Sequence, residues 1–150
     1  MEEMAKNNIE VLEFLLVYDR YGIELEYLTA VYPLIEYTPL PCTPHFIEGV
    51  VNIRGQIISI IDIRKYFNLP EKCITDLDKL IIVHNEELEV GILADEILGI
   101  QSFPVDFIEP CIPSVTDVPP RYLRGIVEKS LIILDMKELL SGDIIVHEEI

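Results

Sequence analysis

Residues 49–64 read GVVNIRGQIISIIDIR, the pattern of a strand, a turn, a second strand and the start of a helix. Two short apolar runs, 49–51 and 57–61, flank the turn residues 52–56, which is typical of a β-hairpin. Asp62 follows directly, and an Asp at that place can accept hydrogen bonds from the first N–H groups of a helix. We therefore predict two antiparallel strands that lead into a short amphipathic helix.

A similar pattern recurs in the second half of the chain. Residues 60–67 (IIDIRKYF) resemble residues 133–140 (ILDMKELL), and both segments place an Asp between a strand and a helix. Three more blocks recur in the same order, 14–18 with 80–84, 22–31 with 91–100 and 44–50 with 120–126. Four blocks in one order favour the duplication of a unit of about 65–75 residues. The alternative is that β-rich segments resemble one another by chance.

Each unit is predicted to contain about five short strands and one helical turn. Pro33, Pro39, Pro41 and Pro44 keep residues 32–46 from forming a helix or a central strand. Because so few short strands cannot shield both faces of an open sheet, we predict that each unit closes into a small barrel. The predicted fold is all-β with short helices, and the two barrels share apolar faces and leave a groove between them.

The predicted organisation is a single domain over residues 12–140. Its subdomain 1 spans about residues 12–75 and its subdomain 2 about residues 78–140. Residues 1–11 are predicted to be a flexible N-terminal segment, and residues 141–150 a C-terminal tail that either adds a strand to a sheet edge or trails.

Composition excludes several classes of protein. The 150 residues include 27 acidic and 11 basic side chains, a net charge of −16, and half of the residues are hydrophobic. The apolar content is too high for a disordered chain, and the acidity argues against binding to nucleic acid or to anionic lipid. Without a signal peptide or an apolar run near 20 residues, we expect a cytoplasmic protein. Cys42, Cys73 and Cys111 are then expected to be reduced, buried or half-buried thiols.

Residues that could carry catalysis do not cluster in the sequence. His45, His84 and His147 are far apart and lack the neighbours of a metal site, so we predict no metal and no cofactor. Asp95 and Glu96 are adjacent on a predicted strand and therefore point to opposite faces. We interpret them as a solvated acidic edge.

The hairpin turn at 52–56 differs between the two units. Its counterpart, 128–130, is two residues shorter between matching apolar positions, and such divergence favours a role acquired by one copy. Arg54 lies in this turn, with Arg64 and Lys65 nearby, and an Arg on a turn is well placed to bind a partner carboxylate. The alternative is that Arg54 pairs with a local Glu such as Glu48.

Residues 49–64 resemble the signature of the CheW-type domain of bacterial chemotaxis adaptors, a Gly, two apolar residues, Asn, an apolar residue, Arg and Gly, followed by a strand that ends in Asp-x-Arg. Residues 38–41, 91–97 and 125–140 extend the resemblance over about residues 12–140. It implies two five-stranded SH3-like barrels in a coupling protein without catalytic activity or cofactor. The implied partners are the cytoplasmic tip of a chemoreceptor and the regulatory domain of a CheA-type histidine kinase, in arrays at the membrane.

Carried over residue by residue, the resemblance places partner contacts at Asn52, Arg54, Gly55 and Gln56, with Arg64 nearby.

The resemblance also implies that an edge of the first barrel meets the kinase, which places contacts at Leu28 and Ala30. Ala30 occupies a position that is usually acidic in the family. The polar contact that this acidic residue would make at the kinase edge is therefore either missing or supplied by Glu26 or Glu36. Two other functions stay open on the sequence alone: an adaptor of a chemosensory kinase pathway outside chemotaxis, and a small ligand-binding double barrel.

Overall fold

A computed structural model describes residues 7–70, 74, 77–110 and 116–141. The strands are β1 (Asn8–Leu16), β2 (Asp19–Glu24), β3 (Leu28–Pro33), β4 (Ile47–Ile53), β5 (Gln56–Ile61), β6 (Lys79–His84), β7 (Glu89–Ala94), β8 (Glu96–Pro104), β9 (Leu123–Val127) and β10 (Leu131–Leu134). The helices are α1 (Ile63–Tyr66) and α2 (Met136–Ser141), with 3₁₀ turns at Leu25–Tyr27, Val105–Phe107 and Pro120–Tyr122.

The order of the elements repeats, as the sequence predicts. Five strands and α1 are followed by five strands and α2, and each helix begins after an Asp. Asp62 accepts a hydrogen bond from the backbone N–H of Arg64 at 3.1 Å, and Asp135 accepts one from that of Glu138 at 3.1 Å. The predicted all-β fold with five strands per unit and a capped helix in each is confirmed.

The ten strands form two five-stranded sheets. Barrel A has the strand order β8-β1-β2-β10-β9, and barrel B has the order β3-β6-β7-β5-β4. Barrel B is therefore one continuous segment, residues 28–94, whereas barrel A combines residues 8–24 with residues 96–134.

This topology corrects the predicted subdomains, 12–75 and 78–140. Those ranges follow the sequence repeat, but the first hairpin of each unit pairs with the later strands of the other unit. Apolar alternation indicates which residues form a strand, but it does not indicate which other strand lies beside them. The repeat alone therefore could not show that the first hairpins of the two units are exchanged between the barrels.

The N-terminal prediction also needs correction. The strand β1 begins at Asn8, and Val11 is fully buried, so residues 8–11 are part of barrel A and not a flexible segment. Residues 1–6 and 142–150 lie outside the described residues. No helix in the described part of the chain is both long and apolar enough to cross a membrane.

Each barrel closes where the chain beyond one edge strand folds over the opposite edge strand. In barrel B the backbones of Thr38 and Val50 exchange two hydrogen bonds of 2.9 Å. In barrel A those of Glu109 and Ile126 exchange bonds of 2.9 and 2.8 Å. These two contacts are equivalent in the repeat.

A glycine makes each closure possible. A Cβ added to Gly49 would lie 2.3 Å from the carbonyl oxygen of Thr38, and one added to Gly125 would lie 2.6 Å from that of Glu109. Real Cβ atoms do not approach backbone oxygen so closely, so the crossing strand can lie at this distance only over a residue without a side chain.

Three apolar cores occupy the described structure, and the largest lies between the barrels. This joint core takes side chains from both sheets and α2, among them Phe14, Ile23, Ile81, Ile92 and Leu139. The core inside barrel A contains Ile9, Val11, Phe103, Val127, Leu131 and Ile133. The core inside barrel B contains Val51, Ile58, Ile60, Leu80, Ile82 and Leu93. Central strands are thus buried on both faces, which explains continuous apolar runs such as residues 80–83 and 131–134.

Candidate functional site

The turn between β4 and β5 is a two-residue hairpin loop. Ile53 pairs with Gln56, and the two residues between them have positive φ, 55° at Arg54 and 82° at Gly55. This is the backbone of a type I′ turn, whose twist matches that of paired strands. The Asn52 side chain accepts a hydrogen bond of 2.9 Å from the backbone N–H of Gly55, which fixes the turn further. The motif residues therefore build a rigid turn that presents Arg54 at its tip.

The difference between the two hairpins lies in their strands. The strands β4 and β5 have seven and six residues, against five and four in β9 and β10. The loop itself is longer in the second hairpin, which uses the three residues 128–130. The predicted shortening is thus a loss of paired strand residues, and the longer first hairpin carries Arg54 farther from the barrel.

Arg54 is exposed, and its side chain makes no hydrogen bond or ion pair with any residue that the structure describes. The alternative pairing with Glu48 is contradicted, because the Glu48 carboxylate accepts a 2.7 Å bond from the Nζ of Lys65. Ile57, opposite Asn52, is 63% exposed beside the same turn. We define the turn surface as Asn52, Arg54, Gly55, Gln56 and Ile57. Ile57 was not identified from the sequence. Ile57 and Ile58 are successive residues of one strand and must point to opposite faces, which could have indicated that one of them is exposed.

Arg64 is buried, with 1% of its surface exposed, which corrects its assignment to a partner-binding surface. Its guanidinium contacts three carboxylates, that of Asp62 at 2.9 Å, that of Asp95 at 2.7 Å and that of Asp78 at 3.3 Å. Burial lowers the pKa of Arg64, but the hydrogen bond to Asp62 and the three negative charges outweigh it and hold the pKa above its ordinary value. A charge held in this way cannot reach a partner.

Asp95 joins the two barrels. It lies between β7 and β8, where the chain passes from barrel B to barrel A. One of its carboxylate oxygens accepts the bond from Arg64, and the other accepts a 2.8 Å bond from the backbone N–H of Val17. Its own N–H donates to the carbonyl of Leu15 at 2.9 Å. The interpretation of Asp95 as a solvated acidic edge is therefore wrong, whereas Glu96 is exposed.

Leu28 and Ala30 lie on β3, an edge strand of barrel B. Both are half-buried, and the exposed positions of this strand are Thr29, Val31 and Pro33. No strand pairing joins β3 to the β4–β5 hairpin, so these residues are not part of the turn surface.

The charge expected near Ala30 has two possible sources in the sequence, Glu26 and Glu36. Both are exposed, and Glu26 lies in the 3₁₀ turn that precedes β3.

A groove of about 700 Å³ separates the β6–β7 turn of barrel B from α2. Its charged lining is mostly acidic, with Glu26, Glu86 and Glu87 against Lys137. Tyr27 lines the same groove, and partial burial together with the negative charges of Glu26 and Glu24 raises the pKa of its hydroxyl. We call this surface the inter-barrel groove.

The described residues contain no cluster of three or more His, Cys, Asp or Glu side chains that could hold a metal ion. Cys42 is exposed, which corrects the expectation of a buried or half-buried thiol. It lies in the proline-rich segment between β3 and β4. Cys73, Cys111 and His147 lie outside the described residues.

Comparisons with known proteins agree with this architecture. Residues 10–143 match the model of the CheW-like domain. The chain is 28% identical to the chemotaxis protein CheW of Treponema pallidum (strain Nichols) over 148 residues, which covers 93% of this chain and 87% of that protein. It is 30% identical to the chemotaxis protein CheW of Klebsiella aerogenes over 137 residues, which covers 89% and 82%.

Solved structures give the same result. The crystal structure of the scaffolding protein TtCheW from Thermoanaerobacter tengcongensis superimposes with a TM-score of 0.75 at 29% identity, over 84% of this chain and 83% of that one. The domain match covers most of the chain. The matched residues include most of β1, all of β2 to β10, the two glycines at the barrel closures and the Asn-x-Arg-Gly turn. The chain belongs to the CheW-like family.

Proposed function

We propose that this protein is a non-catalytic adaptor that couples chemoreceptors to a CheA-type histidine kinase in chemotaxis signal transduction. It would act in the cytoplasm and be recruited to receptor arrays at the membrane. The observation that carries the proposal is Arg54, an exposed guanidinium without a partner among the described residues, on a rigid turn of a protein with a net charge of −16.

The turn surface has the properties of a recognition site. Arg54 is held in one backbone conformation before any partner arrives, so little backbone freedom is lost on binding. A free guanidinium can bind a carboxylate through two parallel hydrogen bonds. Ile57 adds exposed apolar area beside it, and arginine is one of the residue types enriched in binding hot spots.

An adaptor needs at least two surfaces, and this molecule offers three candidates, two of which adjoin, because His84 in the groove bonds Thr29 of β3 at 2.7 Å. The turn surface is on the β4–β5 hairpin, Leu28 and Ala30 are on the β3 edge, and the inter-barrel groove lies beside α2. We assign the β3 edge to the kinase and the groove to a helix of the receptor tip. The acidic lining of the groove favours a receptor helix with basic or amide side chains on its docking face.

The proposal is tested with the full chain, the regulatory domain of the cognate kinase and a receptor-tip fragment. We expect both binary complexes, and a ternary complex by size-exclusion chromatography with light scattering, because Leu28 and Ala30 do not line the groove. Failure to bind either partner would contradict the proposal. Competition between the two partners would contradict the assignment of separate surfaces.

A further inference from the structure

The strand β1 carries a carboxylate into the interior of barrel A. Glu13 is 2% exposed, and alternation along the strand puts it on the same face as Ile9 and Val11, which belong to the core of this barrel. Carboxylates are seldom buried to this degree unless they are paired, because desolvation disfavours the charged form.

Glu13 has one partner among the described residues. Its Oε2 accepts a 2.7 Å bond from Nη1 of Arg20, and Nη2 of Arg20 bonds the hydroxyl of Ser130. No donor in the described part of the chain reaches Oε1 of Glu13. A carboxylate can accept about four hydrogen bonds, so much of the acceptor capacity of this buried group is unused.

A pocket of about 250 Å³ lies over this carboxylate. A pocket of this volume has room for several water molecules or a small organic ligand. Its charged lining residues are Glu13, Glu128 and Arg20, so the pocket has one net negative charge. Phe103, Pro104 and Phe107 add an apolar wall, and Phe107 is 51% exposed at the mouth.

The other barrel shows that the fold does not need this charge. Glu13 pairs with Gly22 across β1 and β2, and Ile82 pairs with the equivalent Gly91 across β6 and β7. Barrel B therefore has an isoleucine where barrel A has the carboxylate, and this register shifts the predicted match of residues 14–18 with 80–84 by three positions. Because both barrels close in the same way, the carboxylate in barrel A is an addition specific to one copy.

We propose that this pocket binds an alkylammonium ligand, with the ammonium donating to Oε1 of Glu13 and the alkyl chain lying against Phe103 and Phe107. Arg20 holds the other carboxylate oxygen, which leaves Oε1 without a described donor in a side chain that lines the pocket. The aromatic rings favour a cation over a neutral group of the same size. The site is separate from the three adaptor surfaces, and its test does not depend on the adaptor function.

The test is a titration of the full chain with n-butylammonium chloride at constant ionic strength. The titration is monitored by ¹H–¹⁵N correlation spectra. We expect saturable shifts of the amides that line the pocket, including those of Glu13, Ser102 and Leu131. 1-Butanol, which has the same number of heavy atoms and no charge, should produce no saturable shift. Linear shifts without saturation, or equal shifts with both compounds, would overturn the proposal.

Two variants locate the ligand. Glu13→Gln should weaken binding at least tenfold, whereas Glu10→Gln, the same change at an exposed position of the same strand, should leave it unchanged. If Glu13→Gln does not fold, Gln101→Lys decides the question, because it introduces an ammonium at the pocket lining and should abolish binding. Undiminished affinity in the folded variants at Glu13 or Gln101 would contradict the proposed site.

Discussion

Two arginines ten positions apart in one motif have opposite environments. Arg64 is surrounded by three carboxylates and has almost no exposed surface, whereas Arg54 is exposed and meets none among the described residues. Residue type and spacing suggested one basic patch. The burial of each side chain, which depends on distant residues such as Asp78 and Asp95, separates a structural charge from one that is available to a partner.

The first prediction at this scale concerns Arg54. Arg54→Ala should weaken binding to the kinase domain or the receptor fragment by about 2 kcal/mol or more, roughly 30-fold, because a central arginine at an interface often contributes this much. The melting temperature should stay nearly constant, because the side chain has no described partner in the free protein. Isothermal titration calorimetry and differential scanning calorimetry measure the two quantities.

Lys129→Ala is the matched control. Lys129 is an exposed cation with positive φ (61°) on the corresponding turn of the other unit. Equal weakening by both substitutions would mean that net charge and not the turn surface is recognised. A large fall in melting temperature for Arg54→Ala would show that this residue is structural.

The second prediction concerns Arg64. Arg64→Met should lower the free energy of unfolding by about 3–5 kcal/mol, because it leaves buried carboxylates without their cation. Lys65→Met removes a partly exposed ion pair and should cost less than about 1 kcal/mol. Urea unfolding measures both, and similar values for the two variants would contradict the structural role of the buried cluster.

At the scale of the element, the closure of each barrel depends on one close backbone crossing. Gly49→Ala should destabilise the protein by about 2 kcal/mol more than Gly99→Ala. A Cβ at Gly49 meets a backbone oxygen at 2.3 Å, whereas one at Gly99 (φ +135°) meets no atom within 4 Å. The difference between the free energies of unfolding of the two variants therefore measures the steric cost at the backbone crossing, separately from backbone strain. Equal costs would contradict the close crossing of Gly49 and Thr38.

Local patterns predicted most of the elements. Apolar alternation and turn residues located the β4–β5 hairpin, and Asp62 and Asp135 predicted the helix starts that they cap. The same patterns could not place the closures, because Thr38 and Glu109 are single residues that bridge to distant strands. Nor could they show that Asp95 is buried, since its partners come from β1 and α1.

At the scale of the molecule, the repeat boundary and the barrel boundary differ. A fragment of residues 1–77 lacks β6 to β10 and so completes neither sheet, and the same holds for residues 78–150, which lack β1 to β5. We expect each fragment alone to give the poorly dispersed NMR spectrum of an unfolded chain. Mixing them should restore the native spectrum, because together they contain all strands.

A fragment of residues 28–94 is the control of similar length, since it contains every strand of barrel B. It should retain more β structure by circular dichroism than residues 1–77, although its face toward the joint core would be exposed. A well-folded 1–77 fragment would contradict the strand exchange. The sequence repeat predicted the number of barrels, but no local signal distinguishes a hairpin that stays within its unit from one that pairs outside it.

The continuity of barrel B also sets an order of events during synthesis. The ribosome completes all five of its strands once residue 94 has been made, whereas β1 and β2, which are made before the other eight strands described, must wait for β8 to β10. At ~5–20 residues per second, the last 40 or so residues up to β10 take a few seconds. During that time the β1–β2 hairpin of the nascent chain has unpaired strand edges and exposed apolar faces. Barrel B, residues 28–94, is therefore expected to fold first. The β1–β2 hairpin is the part of the nascent chain that is expected to need protection by a chaperone most.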